Sequence, residues 1–155
     1  MTTKESNPKQ AFGDAKPPLS TVPMPVLYEV ALGMLEGHLK GYRRHNYRIA
    51  GVRMSTYYDA IMRHITAWWE GQDIDPESNL PHIVKAICCM VVLRDAEMLG
   101  KVTDDRPPSH PDGWQEKLKP LVAALKSKYP NPPEPFVRGD GMISAETSPT
   151  KEPNQ

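Results

Sequence analysis

Residues 55–98 read STYYDAIMRHITAWWEGQDIDPESNLPHIVKAICCMVVLRDAEM and contain two segments with helical spacing of apolar residues, separated by an acidic loop. The first segment, residues 55–70, is predicted to be a helix capped by Ser55 and ended by Gly71. Its predicted apolar face consists of Tyr58, Ile61, Met62, Ile65, Trp68 and Trp69. The second segment, residues 81–98, begins at Pro81 and is apolar on nearly every side. Such a helix is either central in the fold or part of a subunit interface.

The rest of the chain shows further helical spacing and no strand-like alternation. Residues 23–40 are predicted to form a helix with Ser20 or Thr21 as its cap. Residues 41–54 are predicted to form a basic loop with at most one short turn, and residues 100–113 a linker. A fourth helix is predicted over residues 114–129, although Pro120 opposes its first half. The expected fold class is therefore all-α, a small bundle of three to four helices over residues 19–129.

Composition limits the location and the partners of the protein. Proline, of which the chain has 17, concentrates at both ends, so residues 1–18 and 130–155 are predicted to be disordered Pro-rich tails. A formal net charge of zero argues against direct nucleic acid binding. With no signal-peptide pattern and no apolar run of roughly 20 residues, we expect a cytoplasmic protein without a membrane partner. The adjacent Cys88 and Cys89 are predicted to be free core residues, which suits a reducing compartment.

An acidic loop follows the first helix of the quoted segment. Asp73, Asp75 and Glu77 alternate with other residues in it, and His82 follows near the start of the next helix. Mg²⁺ prefers carboxylate oxygens, so the loop is a candidate metal site. The spacing resembles the start of an EF-hand loop but lacks the turn glycine and the closing glutamate of that motif. The alternative is a solvated connection whose acids cap helices.

A basic loop precedes the same helix, with no acidic residue between Lys40 and Arg53. Arginine binds phosphate through two hydrogen bonds at once, so this loop is a candidate phosphate site. Its candidate ligands for phosphate or base are Lys40, Arg43, Arg44, Asn46, Tyr47 and Arg48. Arg63 is a further candidate, on a polar stripe with Asp59, with which it could instead form an ordinary ion pair. A solvated basic surface is the alternative for the loop.

The two charged loops flank one helix, whose rise places its ends about 24 Å apart. One phosphate can contact both loops only if the basic loop folds back along the helix, or if an antiparallel second subunit supplies one of them. Together with the all-round apolar character of residues 81–98, this predicts a homo-oligomer, a dimer or higher. His64 is a candidate general base or phosphate ligand, and the alternative is an ordinary helix histidine.

Two stretches, KGYRRHNYR at residues 40–48 and YYDAIMRHITAWWEGQDIDPESNLPHIVKAICC at residues 57–89, resemble the signature of the N-terminal domain of bacteriophage dATP/dGTP diphosphohydrolases. The resemblance covers about residues 16–99. The matching residues are Asn46, Tyr58, Asp59, Ala60, Arg63, His64, Gly71, Asp75, Glu77, Ser78 and His82. The chain departs from the pattern at Tyr47, Gln72, Asn79 and Lys85, where a tryptophan, an acid, a glycine and a second histidine are usual.

The resemblance implies Mg²⁺-dependent hydrolysis or binding of a purine deoxynucleoside triphosphate, with release of diphosphate, in the host cytoplasm if the chain is phage-encoded. Asp73, Asp75 and Glu77 would hold the metal, with Glu29 or Glu36 as further candidates. His64, Glu77 and His82 would take the catalytic roles. In related proteins the domain accompanies a MazG-like all-α pyrophosphohydrolase domain, whose EExxE motif we do not find in this chain. The alternative is a non-catalytic phage accessory protein, either a nucleotide-binding module or an oligomeric interaction module.

Overall fold

A computed structural model describes Lys9, Phe12, Gly13 and residues 15–140 of the chain. The chain divides into two compact units, one ending at Arg106 and one beginning at Pro107. The first unit contains the helices α1 (Met24–Leu39), α2 (Tyr47–Ala50), α3 (Met54–Trp69) and α4 (His82–Met98). The second unit contains α5 (Lys119–Lys128). The predicted all-α class is confirmed, whereas the predicted disordered tails lie largely outside the described residues.

Two short strands, β1 (Val52–Arg53) and β2 (Val102–Thr103), pair in parallel with Val52 opposite Val102. The sequence shows no strand-like alternation here, because two residues are too few to show a period of two. The pair joins the segment before α3 to the segment after α4. Within the described residues, no helix is both long and apolar enough to cross a lipid bilayer.

Helix α4 is the centre of the first unit and packs against both α1 and α3. One buried cluster joins Val30 of α1 to Val84 and Cys88 of α4. A second buried cluster joins Tyr47 of α2 to Val92 and Ala96 of α4. The interpretation of residues 81–98 as a central helix is therefore confirmed. Cys88 and Cys89 are free thiols, as predicted, and burial raises the pKa of Cys88 to about 11.

The face that α3 turns to the core differs from the predicted apolar face. Trp69 and Tyr58 are 76% and 62% exposed, whereas Tyr57 packs against the second cluster and His64 is half-buried. Neighbouring residues of a helix point about 100° apart, so the sequence was compatible with two adjacent buried faces, one containing Tyr57 and one containing Tyr58. The face with a tyrosine and a histidine is the one that packs inward.

Left-handed glycines end the helices that flank the two charged loops. Gly41 after α1 has φ +105°, and Gly71 after α3 has φ +97°. At each end two hydrogen bonds close the last turn: Gly41 N and Tyr42 N donate to His38 O and Gly37 O, and Gly71 N and Gln72 N donate to Trp68 O and Ala67 O. Both loops consequently leave their helices by a sharp reversal.

The N termini differ from the predicted caps. Ser55 lies inside the first turn of α3, where its backbone N and its Oγ donate to Asp105 at 2.9 Å and 2.5 Å. The cap of α3 is thus a distant carboxylate, which also suits the positive end of the helix dipole. Thr21 donates to Pro18 O within a 3₁₀ turn, Leu19–Thr21, while Pro23 occupies the N-cap position of α1. Pro120 lies in the first turn of α5, after a second 3₁₀ turn at Glu116–Leu118.

Candidate functional site

The basic loop and α1 together line a cavity of about 570 Å³, here called the α1 pocket. Four of the predicted ligands lie in its wall: Arg43, Arg44, Asn46 and Tyr47. Tyr42, Tyr57 and Val92 contribute aromatic and apolar surface. The volume lies within the range of roughly 300–1,000 Å³ that is usual for small-molecule sites. The pocket therefore combines flat apolar surface with two guanidinium groups.

The reversal at Gly41 builds the floor of this pocket. It returns Tyr42 to α1, where the carbonyl of Tyr42 accepts a hydrogen bond from His38 Nδ1 at 2.9 Å. His45 then adopts a left-handed backbone with φ +57°, and α2 follows directly. Short helix α2 places Tyr47 in the core at 7% exposure. A segment without apolar periodicity thus acquires a defined shape from turns and from one buried aromatic ring.

Arg48 is held by α4 and is not among the residues that line the α1 pocket. Its Nε and one terminal nitrogen donate to the two carboxylate oxygens of Asp95 at 2.7 Å and 3.1 Å. The Arg48 guanidinium lowers the pKa of Asp95. Planar two-point pairing of this kind fixes orientation as well as charge. Arg48 therefore anchors the basic loop on α4.

Lys40 links the two charged loops within one chain. Its Nζ contacts Glu77 in the acidic loop at 2.7 Å and also pairs with Glu36. Glu36 in turn accepts a hydrogen bond from Lys85 of α4 at 2.6 Å. Of the two arrangements that the sequence left open, contact between the loops within one subunit is the one seen here, because α1 ends beside the acidic loop. The basic loop then runs along α4 as far as Asp95. One chain alone therefore brings the first residue of the basic loop, Lys40, into contact with the acidic loop.

The acidic loop is folded around Asp75, which is 9% exposed. Its carboxylate accepts hydrogen bonds from Ser78 Oγ at 2.6 Å and from the Glu77 backbone N at 3.2 Å. Burial alone would raise the pKa of Asp75, but these two hydrogen bonds lower it below its usual value. Asn79, at the position where the family pattern has glycine, has φ +57°. Asparagine tolerates this left-handed backbone, so the departure leaves the turn intact.

The three predicted metal ligands do not form a cation site in this arrangement. The Asp75 carboxylate is turned into its own loop, and the Glu77 carboxylate pairs with Lys40. The carbonyl of Asp73 accepts a hydrogen bond from the His82 backbone N at 3.0 Å. In the described part of the chain no group of three or more His, Cys, Asp or Glu side chains is placed to hold a metal. These residues do not fit a ready-made Mg²⁺ site.

His64 and His82, which are 18 positions apart, lie in direct contact. Their Nδ1 atoms are 2.8 Å apart, and His82 Nε2 is 3.2 Å from Gln72 Oε1. If His82 Nε2–H donates to that carbonyl, His82 Nδ1 accepts from His64 Nδ1–H, and His64 Nε2 retains a lone pair. Burial lowers the pKa of His64, and the neighbouring His82 lowers it further. His64 is therefore suited to be neutral near pH 7.

Arg63 lies outside this arrangement, on the exposed face of α3. It borders a shallow groove with Asp59, Met62 and Thr66. Asp59 and Arg63 have the spacing for an ion pair, yet among the residues that the structure describes neither takes part in one. The geometry thus does not connect Arg63 with the α1 pocket.

Among the residues that line the pocket, sequence reasoning did not propose the polar or aromatic side chains of His38, Tyr42 and Tyr57 as ligands. Tyr42 lies within the basic loop, so its aromatic ring could have been recognised from the sequence as a candidate contact for a base. Tyr57 was left out of the predicted apolar face of α3, which began instead at its neighbour Tyr58. Nothing in the sequence marked His38, because its position in the pocket depends on the reversal of the chain after α1.

A family model described as dATP/dGTP diphosphohydrolase, N-terminal, matches residues 6–106. The match covers more than half of the chain and ends where the first compact unit ends. No curated protein and no solved structure matches the chain. The matched region contains the α1 pocket, the acidic loop and the histidine pair.

Proposed function

Because the chain belongs to the dATP/dGTP diphosphohydrolase N-terminal family, we propose that its first unit binds a purine deoxynucleoside triphosphate in the α1 pocket. The observation that supports this most directly is the composition of that pocket, in which Arg43 and Arg44 share one cavity with three tyrosines. A triphosphate requires cationic donors, and a purine ring requires flat apolar surface.

The pocket residues divide by chemistry into two groups. Arg43 and Arg44 are the phosphate ligands, since neither forms an ion pair within the described residues. Tyr42, Tyr47 and Tyr57 surround the base. Arg48 and Lys40 act indirectly, because their charges are matched by Asp95 and by Glu36 and Glu77. They hold the loop in the shape that presents the two arginines.

Hydrolysis with release of diphosphate is the second part of the proposal. His64 does not line the α1 pocket, so it can act only on phosphates that extend beyond that pocket. It is the chain's own candidate base, because a neutral imidazole with a free Nε2 can accept a proton from water. Any Mg²⁺ would arrive with the triphosphate, as Mg²⁺ usually binds through phosphate oxygens and only one or two carboxylates.

A non-catalytic nucleotide-binding module is the second candidate. The observation that favours it is the engagement of Asp75 by Ser78 and of Glu77 by Lys40. In that case the pocket would bind the same nucleotides, and turnover would be absent. Binding and turnover therefore have to be measured separately.

Calorimetric titration with dATP, dGTP, dCTP and dTTP tests binding. We expect the two purine nucleotides to bind more tightly, and the double variant Arg43→Ala/Arg44→Ala to weaken binding at least about 10-fold, the effect of losing one charge-assisted hydrogen bond. The matched control is Arg94→Ala/Lys101→Ala, which removes two positive charges from exposed positions outside the pocket. Equal affinity in both double variants would contradict the assignment of the pocket.

Chromatography of the products formed from dATP or dGTP with Mg²⁺ tests hydrolysis. The active protein should release diphosphate, and His64→Gln should lose turnover while retaining nucleotide affinity. A wild-type protein that binds nucleotide but forms no product would support the binding module instead.

A further inference from the structure

Helix α1 carries a long apolar stripe on the side opposite to the core. Val30 and Gly33 face α4, whereas the stripe residues are 41% to 75% exposed. They are Met24, Tyr28, Leu32, Leu35 and Leu39. Their spacing of four, four, three and four residues places them on one face of the helix. A monomer seldom leaves an apolar stripe of this length in water.

The stripe borders the α1 pocket. Leu35 belongs to the stripe and also lines the pocket, as does its exposed neighbour Ala31. The side of the pocket formed by these two residues is therefore continuous with uncovered apolar surface. Whatever covers the stripe also adds a wall to the pocket.

We propose that a second copy of this chain packs its own α1 stripe antiparallel against this one, and that the dimer thereby completes the α1 pocket. The statement about the pocket rests on the proposed function, whereas the statement about the interface does not. The occupant is a second copy because the stripe has the four-and-three spacing with which helices interdigitate, and because one surface pairs with itself across a twofold axis.

Area and register support this occupant. At roughly 100 Å² exposed per side chain of this size, the stripe and the apolar rim of the pocket present on the order of 600 Å² per copy, near the ~800 Å² of a standard interface. An antiparallel pair centred between Leu32 and Leu35 brings the N-terminal half of one α1 to the C-terminal half of the other. Leu32 of one copy then lies opposite Leu35 of the other, and Tyr28 lies opposite Leu39, so the exposed apolar side chains cover one another.

Sedimentation analysis of the wild-type full chain over a dilution series tests the interface. We expect a dimer at micromolar concentration that dissociates on dilution. Leu32→Glu/Leu39→Glu should be monomeric at the same concentration and should bind dATP at least about 10-fold more weakly. Trp69→Glu is the matched control, because Trp69 is an exposed apolar residue on α3, and it should remain dimeric with wild-type affinity. Circular dichroism establishes that each variant is folded.

The possible outcomes separate the two proposals. A wild-type chain that stays monomeric across the series would overturn the inference, even if the variants fail to fold. A monomeric variant with unchanged dATP affinity would overturn the role of the partner in the pocket. A wild-type dimer that binds no nucleotide would support the interface and contradict the proposed function.

Discussion

Gly33 of α1 lies directly against Cys88 of α4, where there is no room for a side chain. A Cβ added there would lie 2.5 Å from Cys88 Sγ, which is too close for any real contact. Cys88 Sγ itself donates a hydrogen bond at 3.5 Å to the carbonyl of Val30, which lies on α1 together with Gly33. The small residues Gly33 and Cys88 therefore let the two backbones come together beside the α1 pocket.

We predict that Gly33→Ala destabilises the protein by about 1–3 kcal/mol, the usual cost of overpacking a core. At a permissive position in a helix the same change would stabilise, because alanine has the higher helix propensity. Urea unfolding measures the difference. In a Cys88→Ala background, which removes the Sγ atom, the penalty of Gly33→Ala should largely disappear. An equal penalty in both backgrounds would show that the clash is not the cause.

The candidate site was only partly visible at the level of single residues. The sequence grouped Arg43, Arg44, Asn46 and Tyr47 in one candidate site because they lie close together in the chain, and the structure places them around one cavity. The commitment of Arg48 to Asp95, and the contact of His64 with His82, join residues far apart in the chain. Nothing local in the sequence marks such partners, since each forms only when the helices pack.

At the scale of elements, a chain of ion pairs ties α1, α4 and the acidic loop together. Glu36 is its centre, with Lys85 on one side and Lys40, shared with Glu77, on the other. Burial alone would raise the pKa of Glu36, but the hydrogen bonds from the two lysines lower it. This carboxylate thus holds α1 against the start of α4.

We predict that Glu36→Gln lowers the free energy of unfolding by about 2 kcal/mol at pH 7, because half-buried Lys85 loses its partner. Folding lowers the pKa of Glu36, so its stabilisation is present above the pKa of the unfolded chain. It is lost as the pH falls through the lower pKa of the folded protein. The difference from wild type should therefore shrink below about pH 4.3, the usual pKa of a glutamate. Glu29→Gln, on the same helix but exposed, should change the stability little at either pH. A Glu36→Gln effect independent of pH would contradict this account.

The bounds of α1, α3 and α4 agree with the sequence prediction to within one or two residues, because apolar spacing and left-handed glycines mark helix ends locally. The N-terminal caps do not agree. Asp105 caps α3 from 50 positions away, so the local signal of Ser55 was misleading. The face of α3 was also misjudged, since its most apolar side is not the side that meets α4. The apolar periodicity therefore predicted where each helix begins and ends more accurately than which face of the helix is buried.

At the scale of the whole molecule, the division at Arg106 separates the buried residues from the rest. In the described part of the chain every buried residue lies in the first unit, and α5 exposes Leu121, Val122 and Leu125. The sequence predicted one domain over residues 19–129. It indicated a linker at residues 100–113, but it did not show that the buried core ends before that linker.

We predict that the fragment of residues 1–106 folds by itself, since it contains both buried clusters and the strand pair. Its melting temperature should lie within a few degrees of that of the full chain, as followed by circular dichroism at 222 nm, the usual helical signal. Non-cooperative melting of the fragment, with cooperative melting of the full chain, would show that residues 107–155 are required for folding.

The small parallel pair of β1 and β2 has a consequence for the order of folding. Val52 and Val102 are about 50 positions apart, so their contact closes a long loop that contains α3, the acidic loop and α4. Closing such a loop costs chain entropy, which the contacts between α3 and α4 offset only after the two helices have docked. Truncation of Val52 or Val102 to alanine should therefore accelerate unfolding and leave the refolding rate nearly unchanged. Truncation of Tyr57 of α3 or Val92 of α4, which pack in the second buried cluster, should slow refolding as well.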